Sequence, residues 1–325
     1  MSRPPTVSSA NGGSADSGPV ITVQNLVKRY GTFAAVDDVS FSIKEGEIFG
    51  IIGPNGAGKT TTVECISGLR VPDSGSISVF GFSPLKERNK IREFLGVQLQ
   101  EGGMPPRLKV GEAVELFASF YPNPADPSSL LRSLGIEGIR NSLYKNLSGG
   151  QKQRLSIALA LVGNPKLAIL DELTTGLDPE ARRETWAFIE RIRDGGATVI
   201  LVTHFMDEAE RLCDRLALIN HGRLVVMDTP EAIAAMAGGS RVRFVPSKPV
   251  DDKTLYAIAG VKEVERKERY ITVAGTGDLA AALIKSLAKK RVSVSEIDAR
   301  TGNLDDAFVK LTRDEGSDAS GGNQK

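Results

Sequence analysis

An α/β fold is predicted, with a mixed, mainly parallel sheet core, an antiparallel β layer before it and a small α+β unit after it. Three observations predict it. Ile48–Ile52, Leu167–Leu170 and Thr198–Val202 are unbroken apolar runs of strand length, as strands buried on both faces require. Longer helical stretches alternate with such runs from about Val20 to Met236, the order of a sheet flanked by helices. After Gly238-Gly239-Ser240 the pattern changes to short alternating strands and two amphipathic helices.

Each element follows from its local pattern. VITVQNLVKRYG and VSFSIKEGE alternate apolar and polar residues, which marks an antiparallel edge layer. Val110–Tyr121 has the apolar spacing of a helix with one buried face. Past the glycine pair, Arg241–Ser247 reads as a strand, Lys253–Ala259 as a helix, Val261–Lys267 and Tyr270–Ala274 as strands. Leu279–Lys290 then reads as a helix and Val292–Asp298 as a strand. That β-α-β-β-α-β order is the ferredoxin-like arrangement, and a closing helix is expected near Leu304–Leu311. Residues 1–19 and 313–325 carry almost nothing to bury and are expected to be a disordered leader and tail. The main domain is therefore expected at 20–238 and an accessory domain at 239–312.

Composition narrows the function classes. The 325 residues are 41% hydrophobic and 25% charged, which suits an ordinary globular chain with a core. A net charge of +1 offers no electrostatic case for nucleic acid. Cys65 and Cys213 are too few for a disulfide framework and read as small core residues. No apolar run approaches the ~18 residues of a spanning helix, and no apolar stretch follows the early basic residue as in a secretory signal. A soluble chain is expected.

Gly53-Pro54-Asn55-Gly56-Ala57-Gly58-Lys59-Thr60 matches the phosphate-binding loop G-x-x-x-x-G-K-[ST], placed after a strand and before a helix. Its glycines let successive N–H groups point at phosphate oxygens, and the following helix adds its positive end. Lys59 supplies a charge to the β- and γ-phosphates, and the Thr60 hydroxyl can ligate Mg²⁺. Thr61 follows within the nucleotide-binding stretch. A second acidic anchor stands at the end of Leu167–Leu170: Asp171 suits the Mg²⁺ shell, and Glu172 can polarise the attacking water. On its own an apolar run followed by two carboxylates is equally a solvated strand end.

Leu147-Ser148-Gly149-Gly150-Gln151 precedes a helix over Gln151–Val162. Ser148 and the glycines form a second anion-binding helix start. Two phosphate-binding starts beside one set of metal ligands suggest two copies facing head to tail, each closing the other's site.

Together these segments resemble the ATPase subunit of an ABC transporter, over about Ile21 to Thr229. The resemblance implies ATP and Mg²⁺ as the nucleotide and cofactor, a second copy of the chain and an integral membrane permease as partners, and a peripheral position on the cytoplasmic face of the membrane. It implies that Tyr30 stacks on adenine, that Asp178 in Thr175-Gly176-Leu177-Asp178 crosses the dimer interface, and that His204 contacts the γ-phosphate. Gln100 stands at the glutamine that ligates Mg²⁺ and senses the γ-phosphate, preferred over Gln98 for its Leu-Gln-Glu context. Residues 101–146 take the place of the helical subdomain whose outer face meets the permease. Leu173 departs from the pattern, standing where these families carry proline, and His221 in Asn220-His221-Gly222 reads as a turn residue. Gly68–Gly75, Asp171–Pro179 and Asn303–Phe308 resemble the drug- and antibiotic-exporting, daunorubicin-resistance type. An importer ATPase and a soluble ABC protein are the rival readings. Single-copy motifs and the absence of room for a long coiled coil count against the soluble one.

Overall fold

The computed structural model describes residues 18–98, 103–236, 240–300 and 302–318. The chain opens with β1 (Ile21–Tyr30) and β2 (Phe33–Ile43), an antiparallel hairpin. Central strand β3 (Ile48–Ile52) and helix α1 (Lys59–Ile66) follow, and β4 (Ser74–Val79) returns to pair with β1. The resulting three-stranded layer, β2-β1-β4, is the expected antiparallel edge.

After α2 (Arg88–Arg92) and β5 (Leu95–Gln98), the chain leaves the sheet for α3 (Val110–Ala118), α4 (Pro127–Ser133) and α5 (Gly149–Leu161). It then alternates through β6 (Leu167–Asp171), α6 (Pro179–Asp194), β7 (Thr198–Thr203) and α7 (Met206–Leu212). The hairpin β8 (Arg215–Asn220) and β9 (Arg223–Asp228) and helix α8 (Pro230–Met236) complete this part. The central sheet runs β5-β6-β7-β3-β8-β9. Its pairs are parallel except β8–β9.

Strands β3, β6 and β7 are buried at every residue, which is why their sequences are apolar without alternation. Their side chains still divide by face. Phe49 and Ile51 join the core against the antiparallel layer, where Phe41 stacks on Phe49 at 5.4 Å. Ile48 and Ile52 join the core beneath the helices.

Beyond α8 lie β10 (Ser240–Pro246), α9 (Asp252–Tyr256), β11 (Val261–Lys267), β12 (Tyr270–Gly275), α10 (Leu279–Lys289) and β13 (Val294–Arg300). These strands form an antiparallel sheet in the order β11-β12-β10-β13. Leu279, Leu283 and Leu287, four residues apart, bury one stripe of α10 against Val242, Phe244 and Val273.

The last helix, α11 (Leu304–Asp318), corrects the expected division. It does not close the sheet formed by β10–β13. Leu304 and Ala307 are fully buried in the core beneath α7 and α8. The Leu304 N–H donates to Glu210, and Asn220 donates to the Thr312 carbonyl. The expected tail at 313–325 is also partly helix, since α11 continues to Asp318; a nucleated helix adds one bond per residue until something stops it. The expected leader at 1–19, apart from Gly18 and Pro19, lies outside the described residues, as do residues 319–325.

Candidate nucleotide site

The loop Gly53–Gly58 joins β3 to α1 and is packed from below. A Cβ at Gly58 (φ 102°) would sit 2.1 Å from the Ala35 carbonyl oxygen, and one at Gly53 would sit 2.1 Å from that of Ile219. Only glycine permits these approaches. The turn Asn220-His221-Gly222 braces the loop directly, because the Gly222 N–H donates to the Ala57 carbonyl and the Asp37 N–H donates to that of Gly222. His221 itself adopts φ 46°, as its place in a tight turn requires.

Lys59, buried in the first turn of α1, donates from Nζ to the carbonyls of Gly53 (2.9 Å) and Pro54 (3.0 Å). Burial depresses its ammonium below the ordinary value, while the nearby carboxylates of Glu172 and Asp171 pull it back up. The Thr60 hydroxyl donates to Asp171 Oδ2 at 3.1 Å. Asp171 ends β6 fully buried, and Oδ1 has no hydrogen-bond partner among the described residues. Burial raises its carboxyl to about 6, against the opposing pull of the Thr60 hydrogen bond.

Glu172 leaves the strand in the left-handed region, φ 53°, while its N–H still donates to the Val202 carbonyl on β7. A non-glycine residue held there carries strain, and such strain concentrates at functional positions. The turn places Glu172 Oε1 3.3 Å from His204 Nδ1, just past the end of β7. Leu173 next to it is fully buried in the helix-side core. Its side chain, rather than a proline ring, anchors this turn.

Tyr30, Asn55–Thr61 and Glu172 line one cavity of about 320 Å³. Arg70 and Lys28 lie over the Tyr30 ring at 5.3 and 5.8 Å from its centroid. Sequence reasoning missed Phe33, which faces Tyr30 across the β1–β2 turn, is largely exposed and lines the same cavity. The spacing of two aromatics around a glycine turn was the available signal. It also passed over Gln98, which is buried and accepts the Asp171 N–H at 3.1 Å; Gln100 lies outside the described residues.

Ser148, Gly149, Gly150 and Gln151 do not line this cavity. Ser148 caps α5, its hydroxyl accepting the Gln151 N–H while Gln151 Oε1 accepts the Ser148 N–H. Asp178 caps α6 by accepting from the N–H groups of Glu180 and Ala181. The two starts adjoin, since a Cβ on Gly150 would lie 3.5 Å from Leu177.

Residues 36–175 match the family described as ABC transporter. The chain is 33% identical over 303 residues to the Nod factor export ATP-binding protein I of Ralstonia nicotianae, covering 91% of this chain and 94% of that protein. It is 31% identical over 306 residues to the linearmycin resistance ATP-binding protein LnrL of Bacillus subtilis, covering 90% and 98%. Among solved structures, it resembles the dimeric post-hydrolysis state of the ATP-binding cassette MJ0796 bound to ADP and Pi, with a TM-score of 0.60, 28% identity, and coverage of 64% of this chain and 98% of that one. A phosphate loop and Glu172 around one cavity, with Asp171 bonded to Thr60 and His204 beside Glu172, and relatives of this likeness along nearly the whole chain, make it a member of the ABC transporter family, of the ATP-binding subunit kind.

Proposed function

We propose that the chain hydrolyses ATP at the cavity around Lys59 and so powers export through a separate membrane permease. The observation that carries this reading is that Lys59, Thr60 and Glu172 line one cavity, with Asp171 held behind it by the Thr60 hydroxyl and His204 beside Glu172. The loop N–H groups and Lys59 take the triphosphate, Tyr30 and Phe33 offer aromatic surface to the base, and Thr61 lines the entrance. Mg²⁺ fits the residues present: the Thr60 hydroxyl and a buried Asp171 carboxylate with a free oxygen are the few protein ligands this ion takes beside phosphates. Bound there, Mg²⁺ would neutralise charge developing on the phosphate oxygens. Glu172 orients and polarises the attacking water, and His204 fixes the carboxylate beside the γ-phosphate.

Ser148, Gly149 and Asp178 are exposed, Gly150 and Gln151 half-buried, and all of them lie outside the cavity of their own chain. A head-to-tail second copy brings them onto the ATP held by Lys59, which uses both anion-binding starts. Residues 240–300 act as an accessory, ferredoxin-like domain whose role is contact or regulation.

No helix is long and apolar enough to cross a membrane among the described residues. The chain's likeness to ATP-binding subunits of export systems, and not that absence, supports a permease that supplies the path and a place at the cytoplasmic membrane face. A groove of about 430 Å³ between the sheet edge and the helical segment carries Leu69, Phe117, Phe120 and Tyr121 with Arg88 and Arg92. Leu69 and Phe120 are half or more exposed, which suits a short permease helix with an acidic end. Glu112 and Glu115 are poorer docking residues than their exposure suggests. Glu112 caps α3 by accepting the Lys109 N–H, and Glu115 pairs with Arg140. The likeness to the Nod factor export ATP-binding protein I supports the direction, and that to the linearmycin resistance protein is consistent with it. Co-expression of the chain with its neighbouring permease and transport into inverted vesicles tests it; ATP-driven loss from the vesicles would point to import.

A further inference from the structure

Glu208, on α7 four residues after His204, is a carboxylate with no exposed surface. Its Oε1 accepts the indole N–H of Trp186 on α6 at 3.0 Å. Thr203, at the end of β7, and Thr174, two residues past Glu172, bring their hydroxyls beside it, with Arg182 near. Yet Glu208 Oε2, Thr174 Oγ1 and Arg182 Nε all lack a hydrogen-bond partner among the described residues. Buried polar atoms left unpaired are costly and uncommon. One carboxylate oxygen with two unpaired donors beside it has more than one pairing open, as an element with two arrangements needs.

A second contact path runs parallel to the first. His204 packs on Phe205 with centroids 4.1 Å apart, and the Arg182 guanidinium covers Phe205 at 4.5 Å while pairing with Asp207 at 3.2 Å. Both paths end on α6, the helix that Asp178 caps.

We propose that Glu208 is a positioning residue for hydrolysis, a buried carboxylate tying α6, through Trp186, to the two segments that carry Glu172 and His204. It rests on the ATPase reading above. Glu208 touches neither nucleotide nor water. It holds the Glu172–His204 pair in a register that depends on α6, so seating Asp178 against a second copy alters that register. The linkage has a built-in reporter, because Trp186 is the chain's single tryptophan.

The test compares the full chain with Glu208→Leu, Glu208→Gln and Thr174→Val, measuring kcat, KM for ATP, melting temperature and Trp186 emission with and without ATP. Glu208→Leu is expected to lower kcat tenfold or more with KM within twofold, and to abolish an ATP-dependent emission shift seen in the wild type. Glu208→Gln should restore most of kcat, since its amide still accepts from Trp186 and donates to a threonine hydroxyl. A folded Glu208→Leu with unchanged kcat overturns the proposal, as does failure of Gln to rescue with KM rising in step. Should Glu208→Leu not fold, Thr174→Val decides: a fall in kcat at constant KM supports the linkage, and wild-type kcat overturns it. A wild-type chain that bound ATP without hydrolysing it would defeat the ATPase reading itself, and an emission indifferent to ATP would then defeat the linkage too.

Discussion

His204 Nδ1 stands 3.3 Å from Glu172 Oε1, across the ends of two neighbouring parallel strands. The pair is made by the sheet, since β6 and β7 are hydrogen-bonded in a register that sets Asp171 against Val202. Both side chains therefore emerge at the same edge, where open parallel sheets place their ligands.

Replacing Glu172 by Gln leaves the Asp171 anchor intact and removes the group that polarises water. Hydrolysis should fall by about 10²–10⁴-fold while ATP binding persists, so that an ATP-stabilised dimer elutes early in size exclusion. Normal turnover would make Glu172 a spectator and move attention to His204.

Lys59→Ala removes a buried ammonium whose neighbours are loop carbonyls and two carboxylates. Loss of its charge-assisted contacts, worth about 1.5–3 kcal/mol, should weaken triphosphate binding by roughly 10–100-fold. Equilibrium binding of a fluorescent ATP analogue checks it, and unchanged affinity would count against the site. Chelation of Mg²⁺ should likewise stop phosphate release.

Mixing Ser148→Arg chains with Lys59→Ala chains yields mixed dimers with one intact composite site. Nucleotide-dependent association should reappear in the mixture and be absent from either variant alone. Activity independent of protein concentration would contradict the head-to-tail arrangement.

Leu173 and Leu304 are both fully buried in the helix-side core. Leu173→Ala and Leu304→Ala should each destabilise the fold by about 2–5 kcal/mol, read as lower melting temperatures. Because α11 packs on α7 and α8, truncation at Gly239 should also lower stability, even though every phosphate-facing group precedes it. A truncated chain melting like the full one would return α11 to the accessory domain.

Leu69→Glu and Phe120→Glu, on the exposed groove, should break co-purification with the permease and spare basal ATPase. Assembly unaffected by both changes would put the docking face elsewhere.

Much of the site was legible because its parts are local. Glycines that meet Ala35 and Ile219, an apolar strand ending in Asp171-Glu172, and a serine-capped helix are each short patterns with steric or hydrogen-bonding causes. The alternation of β10–β12 and the leucine spacing of α10 were legible for the same reason. Phe33 was missed because its neighbour in the pocket is chosen by a hairpin.

By itself, then, the sequence determined the central strands, the phosphate loop, the Ser148-capped helix start and the nucleotide chemistry they imply. These depend on backbone sterics and on periodicity within a few residues. Only the tertiary structure decided that α11 belongs under α7 and α8, that Gln98 holds the Asp171 backbone, and that Trp186, Thr174 and Glu208 meet behind His204. Those contacts join residues up to 94 positions apart. They are selected by sheet register and by which polar atoms burial leaves in need of partners, and no local pattern encodes either.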